Sequence, residues 1–197
     1  MKQEDVHRLA FKNLSRTLDR GWGFPNQVFK GRWSVFLFFE SDRAFDPEFS
    51  DILNDILIIE GGSVACLLNI DKTNLFEFER ISSIFIDRTT TRNSYGLALE
   101  GDGPENGWIY LMDKYICMSD IGDWCFYCEK SNDIAVMALR EVEYVSRFQR
   151  PLSSLLAKPI EELLDGGRSP LFPFDHLVPA WRKVLLENYG RTGNLSS

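Results

Sequence analysis

The clearest indication of the fold is the stretch Tyr115-Ile-Cys-Met118, Ser119-Asp-Ile-Gly-Asp123 and Trp124-Cys-Phe-Tyr-Cys-Glu129. Its first and last parts are apolar, long enough for a β-strand and rich in the aromatic side chains that strands favour. The middle part contains Ser, Asp and Gly, which are typical of turns. We therefore predict two neighbouring strands of an antiparallel meander.

Further segments of strand length extend this pattern. Residues 84–87, 95–99 and 108–112 are separated by turn-rich connectors, and we predict that each is a strand of the same meander. Residues 33–39 and 63–69 are nearly continuous apolar runs, which are typical of strands buried on both faces. The sequence thus predicts a mostly antiparallel meander of about five to seven strands.

Helical patterns surround these strands. Val6, Ala10, Leu14 and Leu18 recur every four residues and predict an amphipathic helix at the start of the chain. Asp46-Pro47 is a helix start signal, because Asp caps helices and Pro favours their first position.

Asn132-Asp133 indicates a further helix, which we expect to run to about residue 148. The fold class is therefore α+β, with helices packed around the sheet. We predict a single α+β domain over residues 1–150 and a helical C-terminal appendage over residues 151–197 that packs on it.

Charge is distributed unevenly along the chain. Its 197 residues include 22 basic and 29 acidic side chains, a net charge of -7. Residues 41–139 alone hold 7 basic and 18 acidic side chains, a net charge of -11. This balance argues against a nucleic-acid partner, since such proteins carry a basic patch. No apolar run approaches the roughly 18 residues of a membrane span, so we predict no membrane partner.

The N-terminal helix carries a second stripe, formed by Arg8, Lys12, Arg16 and Arg20, opposite its apolar stripe. It is either a basic arm for an acidic surface or a solvated face over a docked helix. The start of the chain has Glu4 and Asp5 and lacks the apolar core of a secretory signal. The chain's 4 cysteines are too few for a disulfide scaffold. We therefore predict a cytoplasmic protein.

The cysteines and histidines do not form a recognisable catalytic or metal-binding motif. Cys125 and Cys128 have CxxC spacing, but three residues along a strand place side chains on opposite faces. We interpret them, with Cys66 and Cys117, as buried core residues, and we predict no metal site and no cofactor.

Carboxylates offer a weaker possibility of catalysis. Asp113, Asp120, Asp123 and Glu129 all fall in the predicted meander, where two of them could meet across strands as the pair of a glycosidase. The alternative is that they are solvated acids of turns. A chain of this length leaves little room for the long cleft that such enzymes need, and we predict no catalytic residue.

The meander also combines acidic loops with aromatic strands. We predict a partner-binding patch in which carboxylates steer a basic protein and aromatic side chains anchor it. Its residues are Glu100, Asp102, Glu105, Asp120, Asp123, Trp108 and Trp124. The alternative is that the aromatic residues belong to the core and the acids only keep the protein soluble.

Three segments, Gly107-Trp-Ile-Tyr110, Ser119 through Glu129 and Asp133-Ile-Ala-Val-Met-Ala138, resemble small bacterial proteins of the toxin-immunity type. The resemblance implies tight, non-catalytic binding to a partner protein. Because many such families are acidic and neutralise basic nucleases, it also implies a basic toxin domain as the partner. A small cytoplasmic enzyme or a regulatory subunit of unknown substrate is the alternative.

Overall fold

The computed structural model describes residues 3–19, 23–71, 83–103, 107–111, 113–165 and 174–190. Its strands are β1 (Val35–Glu40), β2 (Val64–Asn69), β3 (Ser83–Asp87), β4 (Lys114–Ser119), β5 (Trp124–Glu129) and β6 (Ile134–Leu139). Within these residues, the 6 strands form one sheet in the order β1-β6-β5-β4-β2-β3, and every pairing is antiparallel. The predicted hairpin is confirmed as β4 and β5.

The helices are α1 (Gln3–Thr17), α2 (Phe49–Glu60), α3 (Arg92–Glu100), α4 (Trp108–Leu111), α5 (Glu143–Arg147), α6 (Gln149–Ser154), α7 (Ile160–Asp165) and α8 (Pro179–Tyr189). Short 3₁₀ turns occupy Ser41–Phe45, Lys130–Asn132 and Phe174–His176. These helices cover the antiparallel sheet, which confirms the α+β class. None of the helices in the described residues is long and apolar enough to cross a bilayer.

Side chains of the central strands alternate between two hydrophobic cores. On one face, Cys125 and Met118 pack with α1, α7 and α8. On the other face, Cys128 and Phe126 pack with α2, α3 and α6. Because all six residues of β5 and all six of β6 are buried, the middle of the sheet is covered on both faces.

The basic stripe of α1 is the exposed face of a helix whose apolar face is docked on the sheet. Ala10 and Leu14 are buried against the sheet, whereas Arg8, Lys12 and Arg16 are exposed. The apolar face of the helix therefore packs as the sequence predicts, while Val6 and Arg20 lie outside the residues whose side chains are described.

The helix predicted from Asn132-Asp133 to residue 148 is wrong in its first half. Residues 134–139 form β6, which pairs with β1 on one side and β5 on the other. Asp133 has a φ of 55°, and this left-handed residue turns the chain from β5 into β6. The run Ile-Ala-Val-Met-Ala-Leu is apolar throughout, so its periodicity does not distinguish a buried strand from a buried helix.

The strands predicted at 95–99 and 108–112 are helices instead. Thr91 and Ser94 form a reciprocal capping box that starts α3. Tyr95 and Leu99 are buried, while Leu97 between them is exposed. This order fits a helix, in which residues four apart share a face, whereas in a strand all three side chains would point to the same side. The second segment forms the short helix α4, and Met112 lies outside the described residues.

The C-terminal part of the chain packs on the sheet. Lys158 forms an isolated bridge with Phe38, exchanging hydrogen bonds of 2.7 and 2.9 Å that cover part of the outer edge of β1. Phe174, Leu185 and Tyr189 are buried in the core on the α1 side. Residues 151–154 belong to α6, which begins at Gln149 and so crosses the predicted boundary at residue 150.

Tyr189 at the end of α8 holds the segment between α1 and β1. Its hydroxyl donates to the carbonyl of Asn26 at 2.6 Å and accepts from the amide of Val28 at 3.0 Å. The side chain of neighbouring Asn188 donates to the carbonyl of Pro25 at 3.0 Å. The last described helix is therefore part of the same hydrogen-bonded unit as residues 25–28.

Replacing Tyr189 with phenylalanine should lower the free energy of unfolding by about 2 kcal/mol, because it leaves the buried amide of Val28 and the partly buried carbonyl of Asn26 without their partner. Urea denaturation measures this difference. Tyr110→Phe, at an exposed position, is the matched control and should change stability by less than about 0.5 kcal/mol. Equal denaturation midpoints for the two variants would show that the contact contributes nothing.

Candidate functional site

The structure separates the predicted partner-binding residues into two groups. Asp120, Asp123 and Trp124 lie in or beside the turn between β4 and β5. Glu100 and Asp102 lie at the end of α3, and Trp108 starts α4; Glu105 lies outside the described residues. No hydrogen bond or ion pair within the described part of the chain joins the two groups.

Two residues of the first group are interior. Trp124 is fully buried, and its indole N–H donates to Oε2 of Glu60 at 2.9 Å. Asp120 is also buried, and its Oδ1 accepts from the amides of Ser63 at 2.9 Å and Val64 at 3.3 Å. Both side chains hold the end of the sheet together, and neither is available at the surface.

Glu60, which no sequence pattern marks as a site residue, organises this end of the sheet. Its Oε1 accepts from the hydroxyl of Ser119 at 2.8 Å and from the amide of Asp123 at 3.0 Å. Burial raises the pKa of Glu60, although the hydrogen bonds from Ser119, Asp123 and Trp124 oppose the shift. Asp123 remains half-exposed and accepts a short hydrogen bond from the hydroxyl of Tyr144.

The second group lies in a compact unit, residues 97–103 and 107–110, that we call the α3–α4 corner. The amide of Gly107 donates to the carbonyl of Gly103 at 2.9 Å. A Cβ at Gly107 would lie 2.6 Å from the carbonyl oxygen of Glu100 and 3.0 Å from the ring of Tyr110. Only glycine permits this approach, so Gly107 brings the start of α4 against the end of α3.

Buried side chains hold the α3–α4 corner on the sheet. Tyr95 and Leu99 are fully buried, and Trp108 is 5% exposed in the same core. The hydroxyl of Tyr95 donates to the carbonyl of Ala44 at 2.6 Å, which ties α3 to the 3₁₀ turn after β1. Trp108 is thus the base of the corner and not a surface anchor.

The outer side of the α3–α4 corner combines apolar and acidic groups. Leu97 is 59% exposed and Tyr110 is 63% exposed, both high values for large apolar side chains. Glu100 and Asp102 are exposed, and neither carboxylate makes a hydrogen bond or ion pair with another described residue. These two predicted residues are therefore available to a partner.

Many other acids of residues 41–139, which we call the central block, accept hydrogen bonds within the fold. Asp71 accepts from the amides of Asp113 and Lys114 at 2.6 and 2.8 Å. Asp87 accepts from the amide and hydroxyl of Thr89, and these hydrogen bonds lower the pKa of Asp87. Much of the block's negative charge therefore stabilises turns.

Further acids of the block are held in ion pairs on the surface. Arg92 lies between Glu48 and Asp51 at 2.7 and 2.6 Å. Arg150 lies 3.4 Å from Asp55. The α3–α4 corner differs from these places because its two carboxylates form no ion pair with any of the described residues.

The thiols are placed unfavourably for nucleophilic chemistry. All four cysteines are free and buried, and Cys125 and Cys128 lie on opposite faces of the sheet, as predicted. Burial raises the pKa of Cys66 to about 12 and that of the other three thiols well above the ordinary value. A thiol with so high a pKa forms little thiolate at neutral pH.

The carboxylates considered as a glycosidase pair fall at the two ends of the β4–β5 hairpin, Asp113 and Glu129 at one end and Asp120 and Asp123 at the other. Asp113 precedes β4 and Asp120 follows it, so the two lie at opposite ends of the strand. Glu129 is buried at the end of β5. No group of three or more His, Cys, Asp or Glu side chains in the described ranges is arranged to hold a metal ion.

Replacing Glu60 with glutamine should produce a stability difference that depends on pH. The folded-state pKa is raised, so the stability that protonated Glu60 supplies is complete below about pH 4 and is lost as the pH rises through the raised pKa. Glutamine does not titrate. The unfolding free energy of the wild type minus that of E60Q should therefore fall as the pH rises from about 4 through the raised pKa.

Chemical denaturation at several pH values measures this difference, with E100Q as the baseline for removing an exposed carboxylate. A difference that rises with pH would contradict burial as the dominant influence on Glu60.

Leu97 and Tyr110 lie on the surface of the corner but are not among the residues of the predicted patch. Their exposure follows from helical geometry, because residues two apart lie on opposite sides of a helix. A strand over residues 108–112 would place Trp108 and Tyr110 on the same face, but in α4 one is buried and the other exposed. Reading this segment as a helix would have revealed Tyr110 as the surface residue.

Comparison of the chain with known protein families, with curated proteins and with solved structures finds no match to any of them.

Proposed function

We propose that this protein is a non-catalytic binding protein of the immunity type, which recognises a basic partner protein through the α3–α4 corner. The observation that carries the proposal is the combination on one rigid unit of exposed Leu97 and Tyr110 with the unpaired carboxylates of Glu100 and Asp102. Tyrosine is among the residues enriched at the energetic centre of interfaces.

The charges of the corner explain why the partner is a basic protein. Glu100 and Asp102 are exposed and form no ion pair with a described residue, so their field extends into solvent. A cationic surface would be attracted before contact, which raises the association rate. The apolar groups would then supply affinity as water leaves the contact.

Rigidity favours the same role. The capping box at Thr91 and the hydroxyl of Tyr95 fix α3, and the contact of Gly107 with Glu100 fixes α4. A surface that is ordered before binding loses little conformational entropy on association. The corner is thus suited to tight binding without rearrangement.

An enzymatic function has less support from the chemistry of the described side chains. The raised pKa values of the buried thiols disfavour a cysteine nucleophile. The proposal places the protein in the cytoplasm, where four unpaired thiols would stay reduced.

Site-specific photocrosslinking in cells of the native host tests the proposal and identifies the partner in the same experiment. We expect p-benzoylphenylalanine at position 110 to crosslink to a basic protein, because Tyr110 lies in the centre of the corner. The same reagent at Val178, which is 58% exposed beside α8, is the matched control and should not capture that protein.

Charge reversal shows whether the captured protein binds through the predicted chemistry. The pair Glu100→Lys and Asp102→Lys should lower the association rate with the purified partner by about tenfold at low salt. Asp42→Lys with Glu143→Lys makes the same change of charge at exposed sites elsewhere and should have a smaller effect. Equal effects of the two pairs, or none, would exclude the corner as the interface.

The immunity role has its own measurement. If the partner is a toxin, co-expression of the wild-type protein should restore growth of cells that produce the toxin, whereas the E100K/D102K variant should not. Binding through the corner without protection would retain the interface but contradict immunity.

A further inference from the structure

A groove of about 510 Å³ lies where α1 meets the turns that follow β4 and β6. Arg16, Lys30 and Arg140 line it together with Asp123 and Glu141. Its floor includes Met118, which belongs to the core on the α1 side of the sheet. The groove therefore lies on the opposite side of the sheet from the α3–α4 corner, whose buried base belongs to the other core.

Arg140 is held in one orientation within this groove. Its guanidinium group stacks on Trp33, 3.7 Å from the ring centroid. Nε donates to the carbonyl of Gly122 at 3.4 Å, and Nη1 donates to that of Arg32 at 2.8 Å. Nη2 has no hydrogen-bond partner among the described residues, so a fixed cation retains an unused donor.

Two further cations line the same groove. Arg16 is exposed on α1 and forms no ion pair with any described residue. Lys30 lies 3.6 Å from Asp19 in a pair that is largely open to solvent. Three positive side chains from different parts of the chain thus line one groove in a protein whose net charge is negative.

The remaining wall of the groove is acidic. Asp123 and Glu141 line it, and the carboxylate of Asp123 already accepts from the hydroxyl of Tyr144. A ligand that fills the groove would therefore combine an anionic end with hydroxyl or amino groups that donate to these carboxylates. The volume lies within the range of small-molecule sites and is larger than a lone inorganic anion needs.

We propose that this groove binds a phosphomonoester of about mononucleotide size. Its phosphate would interact with Arg16, Lys30 and Arg140, and its hydroxyl or amino groups would face Asp123 and Glu141. A phosphate dianion suits the site better than a single carboxylate, because three cations line the groove and a guanidinium group donates several hydrogen bonds to phosphate oxygens. This site is independent of the proposed partner interface.

The test is a titration of the full-length, ¹⁵N-labelled protein with adenosine 5′-monophosphate, followed by NMR. We expect saturable shifts of the amides of Gly31 and Gly122, which line the groove. Adenosine, which lacks the phosphate, and succinate, a dicarboxylate, should each bind at least about tenfold more weakly.

Two variants of α1 distinguish binding in the groove from general electrostatic attraction to the protein. Arg16→Gln should weaken binding of the nucleotide by about tenfold, since it removes a charge that lines the groove. Lys12→Gln removes the same charge from an exposed position outside the lining and should change affinity by less than about twofold. Neither side chain has an ion-pair partner among the described residues, so neither variant is expected to disturb the fold.

Three results would overturn the proposal. They are the absence of shifts at Gly31 and Gly122, equal weakening by R16Q and K12Q, and binding of succinate as tight as that of the nucleotide. The first excludes the groove, the second indicates unspecific charge attraction, and the third excludes phosphate as the preferred anion.

Discussion

The structure depends on the hydrogen bonding of polar groups at the ends of a sheet whose middle strands are buried on both faces. Carboxylates do this at both ends of β5, buried Glu129 at one end and half-buried Glu60 at the other. At its end, Glu129 accepts from the amide of Phe24 at 2.8 Å, the hydroxyl of Tyr127 at 2.5 Å and the side-chain amide of Asn132 at 2.6 Å, and Lys114 lies 3.6 Å away. At its start, Glu60 accepts from Trp124. A buried carboxylate is tolerable only when its oxygens are satisfied in this way.

These carboxylates show that only part of the negative charge of the central block lies free at the surface. Its net charge of -11 suggests an extended negative surface, but Glu60, Asp120 and Glu129 are buried or half-buried and bonded to the fold. The exposed unpaired charge is concentrated in fewer places, among them Glu100 and Asp102. A pair of carboxylates beside apolar side chains selects a partner more specifically than a diffuse negative field does. The partner must match the charges and the apolar contacts in one orientation.

The sequence predicts the fold class, the hairpin and the docked face of α1, because each has a strong local signal. Apolar, aromatic-rich runs joined by turn chemistry mark β4 and β5, and the buried stripe of α1 repeats with a helical period. The predictions for two segments are wrong for opposite reasons. Residues 134–139 become a strand only because β1 and β5 lie on either side of them, which no local pattern records. The segment that starts at Tyr95 becomes a helix because of a capping box at Thr91, a local signal that the aromatic content of the segment obscured.

The same difference between local signals and long-range contacts explains which site residues could be predicted. The exposure of Glu100 and Asp102 could be predicted from the turn residues around them. The burial of Asp120, Trp108 and Trp124 and the role of Glu60 depend on contacts between distant parts of the chain. Contacts of this kind also place the two proposed sites on opposite faces of a sheet whose central strands, β4 to β6, are buried almost throughout. A close-packed layer of this kind resists the small displacements through which one site could affect the other. Since coupling between sites requires two states with different affinities, a basic partner at the corner and an anionic ligand in the groove should bind at the same time without influencing each other.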